Sequence, residues 1–342
     1  MMRADMSDTT VLFIWQVRDE LRAYLEQGLA GVEGLKLVFP EDAGEESLLR
    51  LAPDADVIVG WRPSPELLDA ARKLRLLINP GAGVQHLLPK YADRLRDRSV
   101  VLVNGHGNTY FTAQHAVALL LALMNRVVFH HDALASGNWR TREPKSIPLR
   151  DRVVGLFGYG HVNRKVHLFL SGFDVAFAVL RRTWEGKTDP MPTPAARFEP
   201  RDLGLFLERV DTLIVCLPET GETRGMLGRD ELDRLGPNGL LVHVGRGPVI
   251  DEQALYEALR DGRIAGAGLD VWYDYRPEPD AEGRKFPFTQ PFHELDNVVL
   301  SPHRGASPLD DLKRWDEVVD NITRFSAGRS DFLNVVDVDL GY

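Results

Sequence analysis

The sequence predicts an α/β protein of two open parallel sheets covered by helices, and three observations carry that expectation. Short apolar, β-rich runs alternate with helix-period segments nearly from end to end, the pattern of parallel sheets flanked by helices. The chain has 342 residues, which at roughly 150 residues per domain divides into about two domains. A composition of 44% hydrophobic and 27% charged residues supplies sizeable cores and carries no signature of disorder.

The first series opens with the unbroken apolar run Val11–Trp15, which suits a buried strand. A helix follows near Arg18–Leu29. Strands over Leu35–Phe39 and Asp56–Trp61, a helix over Glu66–Lys73, and strands over Leu74–Asn79 and Val100–Asn104 complete it. Thr112 to about Ala135 then reads as one longer helix, apolar on more than one face, which predicts burial between domains or subunits.

A second series begins after the polar, proline-containing stretch Ser136–Leu149. It reads as strand Arg152–Phe157, helix His161–Ser171, and strands Val175–Leu180, Asp211–Leu217 and Leu240–Val244. Helix Glu252–Arg260, strands Ala267–Trp272 and Val298–Ser301, and a last amphipathic helix over Pro308–Phe325 follow. Two such sheets predict a catalytic cleft between the domains, because ligands of open α/β sheets sit beyond the carboxyl ends of the strands.

Charge and cysteine usage exclude several classes. Lysine and arginine total 41 against 50 acidic residues, a net charge of −9, so no basic face for nucleic acid is expected. The single cysteine, Cys216, cannot form an intrachain disulfide and fits a reducing compartment. The longest apolar run, Ala116–Met124, is too short to span a bilayer, and Asp5 and Asp8 ahead of Val11–Trp15 do not suit a signal peptide. These readings predict a soluble, cytoplasmic protein without a membrane partner. No H-E-x-x-H or similar spacing is present, and no metal is expected.

Strand Arg152–Phe157 runs into Gly158-Tyr159-Gly160-His161-Val162-Asn163 and then a helix, the context of a dinucleotide phosphate loop. Gly158 permits the tight turn and Gly160 lets backbone reach a pyrophosphate. The amides of His161 and Val162 lie at a helix N-terminus, where partial positive charge favours an anion. Asn163 stands where a third glycine is usual, which predicts looser helix–strand packing. The next strand, Val175–Leu180, lacks the terminal acidic residue that would hold the ribose hydroxyls of NAD and runs instead into Arg181-Arg182-Thr183. Two guanidinium groups there predict a cradle for a 2′-phosphate, hence NADP, with NAD the alternative.

Several further segments, in order, resemble the D-isomer-specific 2-hydroxyacid dehydrogenase family. They are Asn79-Pro-Gly-Ala-Gly-Val-Gln-His86, the run Asn104–His115, the glycine loop, Val210–Arg224, the block Leu241–Trp272 with Val244-Gly-Arg-Gly-Pro-Val-Ile-Asp251, and Asn297-Val-Val-Leu-Ser-Pro-His303. The resemblance implies two Rossmann-like domains: a flavodoxin-like substrate domain from residues 1–110 and 305–342, and a dinucleotide-binding domain over 111–304. It also implies a homodimer formed through the cofactor domain and the long helix.

By position, Arg246 is similar to the family's substrate-clamping arginine and His303 to its acid/base histidine. Gly81, Ala82 and Gly83 resemble the loop whose amides hold the substrate carboxylate. Asp270, with the backbone at Val244 and Gly245, resembles the nicotinamide anchor, and Thr112, Leu217, Pro218 and Thr223 the lining of the cofactor site. One departure stands out. The family's histidine pairs with a glutamate five residues after this aspartate, and that position is Tyr275 here. The loop Tyr273–Pro291 is longer than usual and holds Asp274, Glu278, Asp280 and Glu282, of which Asp274, then Glu278, is the expected replacement partner.

The chemistry suits these residue types. Reducing a 2-keto acid requires a held carboxylate, a polarised keto oxygen and a proton delivered there. The planar fork of Arg246 serves the first two needs, and an imidazole, which titrates near working pH, serves the third. The expected activity is NADP-preferring interconversion of a small 2-keto acid and its D-2-hydroxy acid. The alternatives are a formate- or phosphite-type dehydrogenase, and a non-enzymatic dinucleotide sensor of the corepressor kind.

Overall fold

A computed structural model describes residues 8–140, 144–186, 188, 190–306 and 310–342. In chain order the first elements are β1 (Thr9–Phe13), α1 (Asp19–Leu29), β2 (Leu35–Val38), α2 (Glu45–Leu51), β3 (Val57–Val59), α3 (Pro65–Ala70), β4 (Leu76–Asn79), α4 (Leu88–Asp97) and β5 (Val101–Asn104). Next come α5 (Thr109–Met124), α6 (Val127–Ala135), β6 (Val153–Phe157), α7 (His161–Leu170), β7 (Ala176–Leu180), β8 (Ala195–Phe198), α8 (Leu203–Arg209) and β9 (Thr212–Val215). The chain finishes with α9 (Arg229–Leu235), β10 (Leu240–His243), α10 (Glu252–Arg260), β11 (Gly266–Leu269), β12 (Val298–Leu300) and α11 (Asp316–Ser326).

These elements form two compact units, one from residues 1–108 and 308–342, the other from residues 109–307. The first holds a five-stranded parallel sheet in the order β2-β1-β3-β4-β5. Its strands bury both faces, so alternate residues feed different cores. Leu12, Ile58, Leu77 and Leu102 pack on one side, and Val11, Phe13, Val57, Val59, Leu76 and Ile78 on the other with α1 and α11. The C-terminal segment returns to this sheet, where Asn104 N–H donates to Asn334 O and Val336 N–H to Leu102 O.

The second unit holds a seven-stranded parallel sheet in the order β12-β11-β10-β9-β6-β7-β8. Phe157, Leu180, Leu213, Val215, Leu241 and Leu269 face one core, while Val154, Leu156, Val179, Ile214, Leu240 and Val242 face the other. The strand order reverses between β6 and β9, the switch point at which such sheets bind ligands beyond the strand ends.

Two expectations need correction. The stretch over Thr112–Ala135 is two helices, α5 and α6, bent by 61°. Asn125 and Arg126 separate them, and Arg126 turns the chain with a left-handed φ of 55°. The apolar faces of α5 are used inside the second unit, against α7 and strands β10, β11 and β12, whereas no residue of α6 is buried. The last helix starts at Asp316 instead of Pro308, after a 3-10 turn over Leu312–Trp315 that the Asp311 carboxylate caps; residues 307–309 lie outside the described ones. Among the described residues no single helix is long and apolar enough to cross a membrane.

Candidate active site

The C-terminal ends of the strands in the second unit carry most of the residues singled out by the sequence. β6 leads to Gly158, β7 to Arg181, β9 to Cys216-Leu217-Pro218, β10 to Val244-Gly245-Arg246, β11 to Asp270 and β12 to Ser301-Pro302-His303. One sheet edge therefore gathers residues from six loops, because all seven strands run parallel.

Arg246 is held by its surroundings. Its carbonyl accepts from His243 Nε2 at 2.9 Å and its Nη1 donates to Gly245 O at 2.7 Å. Gly247 is required beside it, since a side chain there would run into the backbone of Trp272. His243 is fully enclosed, and burial lowers its pKa to about 4. It is thus a neutral prop for the Arg246 backbone. Burial lowers the pKa of His303, and the Arg246 charge adds to that lowering; at Tyr275 the same charge works against a net rise caused by burial. Cys216 behaves as packing: burial pushes its thiol up to about 11.

His303 sits on a turn that Asp270 organises. The Asp270 carboxylate is 2% exposed. Its Oδ1 accepts from the Ser301 hydroxyl and from Arg304 N–H at 2.6 Å, and its Oδ2 accepts from Gly305 N–H at 2.9 Å. His115, on α5, donates to Ser301 Oγ at 2.8 Å and lies 3.3 Å from Asp270 Oδ1. Burial raises the Asp270 pKa, but the hydrogen bonds from His115, Ser301, Arg304 and Gly305 outweigh it and hold the carboxyl below its ordinary value. Both oxygens thereby pin the turn in which His303 adopts a left-handed φ of 57°, a conformation that strains a non-glycine residue.

The partner of His303 is a correction. Neither Asp274 nor Glu278 reaches it. Asp274 Oδ1 accepts from Arg276 N–H at 2.8 Å, while the Tyr275 hydroxyl lies 2.8 Å from His303 Nδ1. A one-residue offset turns adjacent side chains apart, so the residue in the vacant position, not its acidic neighbour, meets the imidazole.

The glycine loop after β6 makes a tight turn into α7. Gly158 has φ 83°, and a side chain on it would strike the Cys216 carbonyl and Leu217. Gly160 caps α7, and the space a Cβ would fill there is open, so an anion can approach the amides of His161 and Val162. Tyr159 contributes only its backbone. Its ring is buried and its hydroxyl bonds His167 Nδ1 at 2.7 Å. Asn163 overturns the expectation of looser packing: fully buried, its amide NH2 shares its two hydrogens among the carbonyls of Gly158, at 2.6 Å, and of Phe157 and Ile214, tying the loop to β6 and β9. Thr223 closes the loop after β9 by donating to Pro218 O at 2.7 Å and accepting from Thr220 N–H at 2.8 Å. Thr112 lies beside Gly305.

Past β7, the Arg181 guanidinium lies 5.2 Å from the Trp184 ring centroid, and Arg197 lies 4.7 Å from the same ring. Arg197 was not legible as a site residue because Ala195–Phe198, a short edge strand, carries no strong β pattern. The open cradle at Gly160, the helix N-terminus and these cations together fit a dinucleotide with a 2′-phosphate.

In the first unit, the loop Gly81-Ala82-Gly83 follows β4. Its carbonyls are tied from behind. Asn79 Nδ2 donates to the Gly81 and Gly83 carbonyls, Asn104 Nδ2 donates to Ala82 O at 2.8 Å, and Gly105 N–H donates to Gly81 O at 3.3 Å. Among the described residues no acceptor takes the three amide N–H groups. A loop with fixed carbonyls and unused amides is built to receive an anion. The Trp61 indole packs against Gly81 and against Trp15 and Trp315.

Comparison with known proteins agrees with this geometry. Residues 117–305 match the family model of the NAD binding domain of D-isomer specific 2-hydroxyacid dehydrogenases. A glyoxylate reductase of Pyrococcus furiosus is 30% identical over 295 residues, which cover 83% of this chain and 83% of that protein. The chain belongs to the D-isomer-specific 2-hydroxyacid dehydrogenase family. Members of this family are NAD(P)-dependent oxidoreductases acting on CH–OH groups, and residues 117–305 are the NAD-binding domain of this one. A D-3-phosphoglycerate dehydrogenase of Archaeoglobus fulgidus is 30% identical over 285 residues, 80% of this chain and 50% of that protein, so the chain spans half the length of that relative. Among solved structures, the NADPH-dependent glyoxylate/hydroxypyruvate reductase of Sinorhizobium meliloti, in complex with NADP and malonate, has a TM-score of 0.73 and 29% identity, covering 98% of each chain.

Proposed function

We propose that this family member reduces a small 2-keto acid to its D-2-hydroxy acid, with NADPH preferred over NADH. The observation that carries the reading is the pairing at one sheet edge of Arg246, fixed by His243 and Gly247, with His303, fixed by the Asp270 turn. The bound nicotinamide supplies the hydride. The unused amides of Gly81, Ala82 and Gly83, taken by themselves, suit a carboxylate. The Arg246 fork stabilises the negative charge that develops on the keto oxygen, and His303 delivers the proton to that oxygen. The amides at Gly160, His161 and Val162 hold the pyrophosphate, with Leu217, Pro218, Thr223, Val244, Gly245 and Thr112 around the nicotinamide half.

NADPH preference rests on Arg181 and Arg197 around Trp184, on Arg182 next in sequence, and on the absence of an acidic residue at the end of β7. A charge-assisted hydrogen bond to phosphate is worth roughly 1.5–3 kcal/mol, and about 1.4 kcal/mol is a decade of affinity. Steady-state kcat/KM with glyoxylate, hydroxypyruvate or pyruvate should favour NADPH over NADH by about tenfold or more. Equal values, or a preference for NADH, overturn the cofactor reading, and no turnover with any 2-keto acid overturns the activity. The same reading makes the protein a homodimer. Val127, Val128, Leu134 and Trp139, all strongly exposed on or just after α6, offer an apolar face for it, and sedimentation at micromolar concentration tests it.

A further inference from the structure

We propose that Tyr275 is the positioning residue of His303: its hydroxyl oxygen accepts the Nδ1 proton, orients the ring, and leaves Nε2 as the atom that exchanges a proton with substrate. This rests on the reading of His303 as the acid/base group. The geometry is direct. Tyr275 Oη lies 2.8 Å from Nδ1, and the two rings meet edge to face with centroids 5.3 Å apart. The hydroxyl is itself placed by the main chain, since Trp272 N–H donates to it at 3.3 Å. With Oη accepting both N–H groups, its own proton turns to the open side of a half-buried residue.

A phenol differs from a carboxylate in one respect that matters. Both accept from Nδ1–H and fix the same tautomer, but only the carboxylate stabilises the imidazolium by its charge. The Tyr275 hydroxyl stays neutral, because burial raises its pKa above the ordinary value despite the Trp272 amide and Arg246, with Asp270 and Glu219 adding to the rise. The groups facing His303 leave its charge poorly supported. Loss of water around the ring lowers its pKa first, Arg246 lowers it further, and Asp270, already committed to Ser301, His115 and two amides, offsets this only in part.

Reduction consumes the imidazolium: the Nε2–H bond breaks as the O–H bond of the hydroxy acid forms, leaving neutral His303 with its proton on Nδ1, facing Tyr275. Oxidation needs that neutral form as base. The reduction rate therefore falls as pH rises through a pKa below the usual 6.5, and oxidation retains its base to correspondingly lower pH.

The decisive experiment is a nuclear magnetic resonance titration of the full chain carrying isotope-labelled histidine, which reads the tautomer and pKa of His303 without turnover. In the wild type the neutral ring should carry its proton on Nδ1. In Tyr275→Phe it should revert to the Nε2–H form that free imidazole side chains favour, and kcat should drop about tenfold at nearly unchanged KM. In Tyr275→Glu the His303 pKa should rise by about one unit or more, and the alkaline limb of kcat/KM for reduction should move with it. Asp274→Asn should shift neither. A wild-type neutral ring protonated on Nε2, or a tautomer and pKa unchanged in both Tyr275 variants, overturns the proposal. If the titration behaves as stated but no 2-keto acid turns over, the pairing stands and the activity reading fails.

Discussion

Asp270 shows how much of a site one buried carboxylate can organise. Its two oxygens satisfy the amides of Arg304 and Gly305 and the hydroxyl of Ser301, so the strained turn at His303 has no freedom to relax. Asp270→Ala leaves those buried donors without an acceptor, and each such group costs about 1–3 kcal/mol. A stability loss of about 3 kcal/mol in urea unfolding is expected, with faster amide exchange confined first to residues 301–305. Arg246→Lys tests the fork instead of the charge: an ammonium cannot reach carboxylate and keto oxygens at once, so kcat/KM should fall at least about tenfold with the fold unchanged. Asn163 makes the complementary point. Restoring the glycine usual in such loops should destabilise the protein by about 2 kcal/mol, since it removes both buried donor hydrogens of the amide and adds backbone freedom. A melting temperature raised in Asn163→Gly would show that the amide is not a structural pin.

At the scale of elements, the break between α5 and α6 is set by a single residue. The run Thr112–Ala135 has continuous helical composition, and nothing local announces a stop at Arg126, which adopts φ 55° without being glycine. A left-handed non-glycine residue costs roughly 1–2 kcal/mol. Arg126→Gly should therefore raise stability by about 1 kcal/mol while keeping the bend, as measured by chemical denaturation. The helices α2, α4, α8 and α9 and strand β8 leave little mark on the sequence. α2, α8 and α9 have only seven residues each, too few to establish a period, and α4 begins at Leu88-Pro89 with mostly charged residues after it. The inner strands were legible because both sheet faces are buried there, which makes each of them a nearly unbroken apolar run.

At the scale of the whole molecule, two enclosed histidines couple stability to pH. Burial lowers the pKa of His167 and of His243 to about 4. Tyr159 and Thr193 bond the two ring nitrogens of the first, and backbone carbonyls surround the second. Above pH 6.5 both states of the protein hold these rings neutral and nothing is lost. As pH falls below 6.5 the unfolded chain takes up protons that the folded chain refuses until about pH 4, so stability declines across that window by up to about 3 kcal/mol per histidine. Urea midpoints measured from pH 7 to pH 4.5 should fall steadily, and His167→Gln should flatten the slope. An unchanged slope in that variant would mean that His167 protonates in the folded state.

The amino-acid sequence by itself determined the alternation of strands and helices, the glycine loop after β6, and the placing of Arg246 and His303 at strand ends. Those features are written in local patterns: apolar runs, a strand–glycine–helix junction, a histidine after a proline. Only the tertiary structure decided which group meets His303, that Asp270 spends both oxygens on its own turn, that Asn163 locks the loop, and that Arg197 joins Arg181 at Trp184. Each of these depends on where a side chain points from an irregular turn, or on two segments far apart in the chain meeting across a sheet edge. A shift of one residue or a left-handed φ redirects a side chain entirely, and no periodicity in the sequence records it.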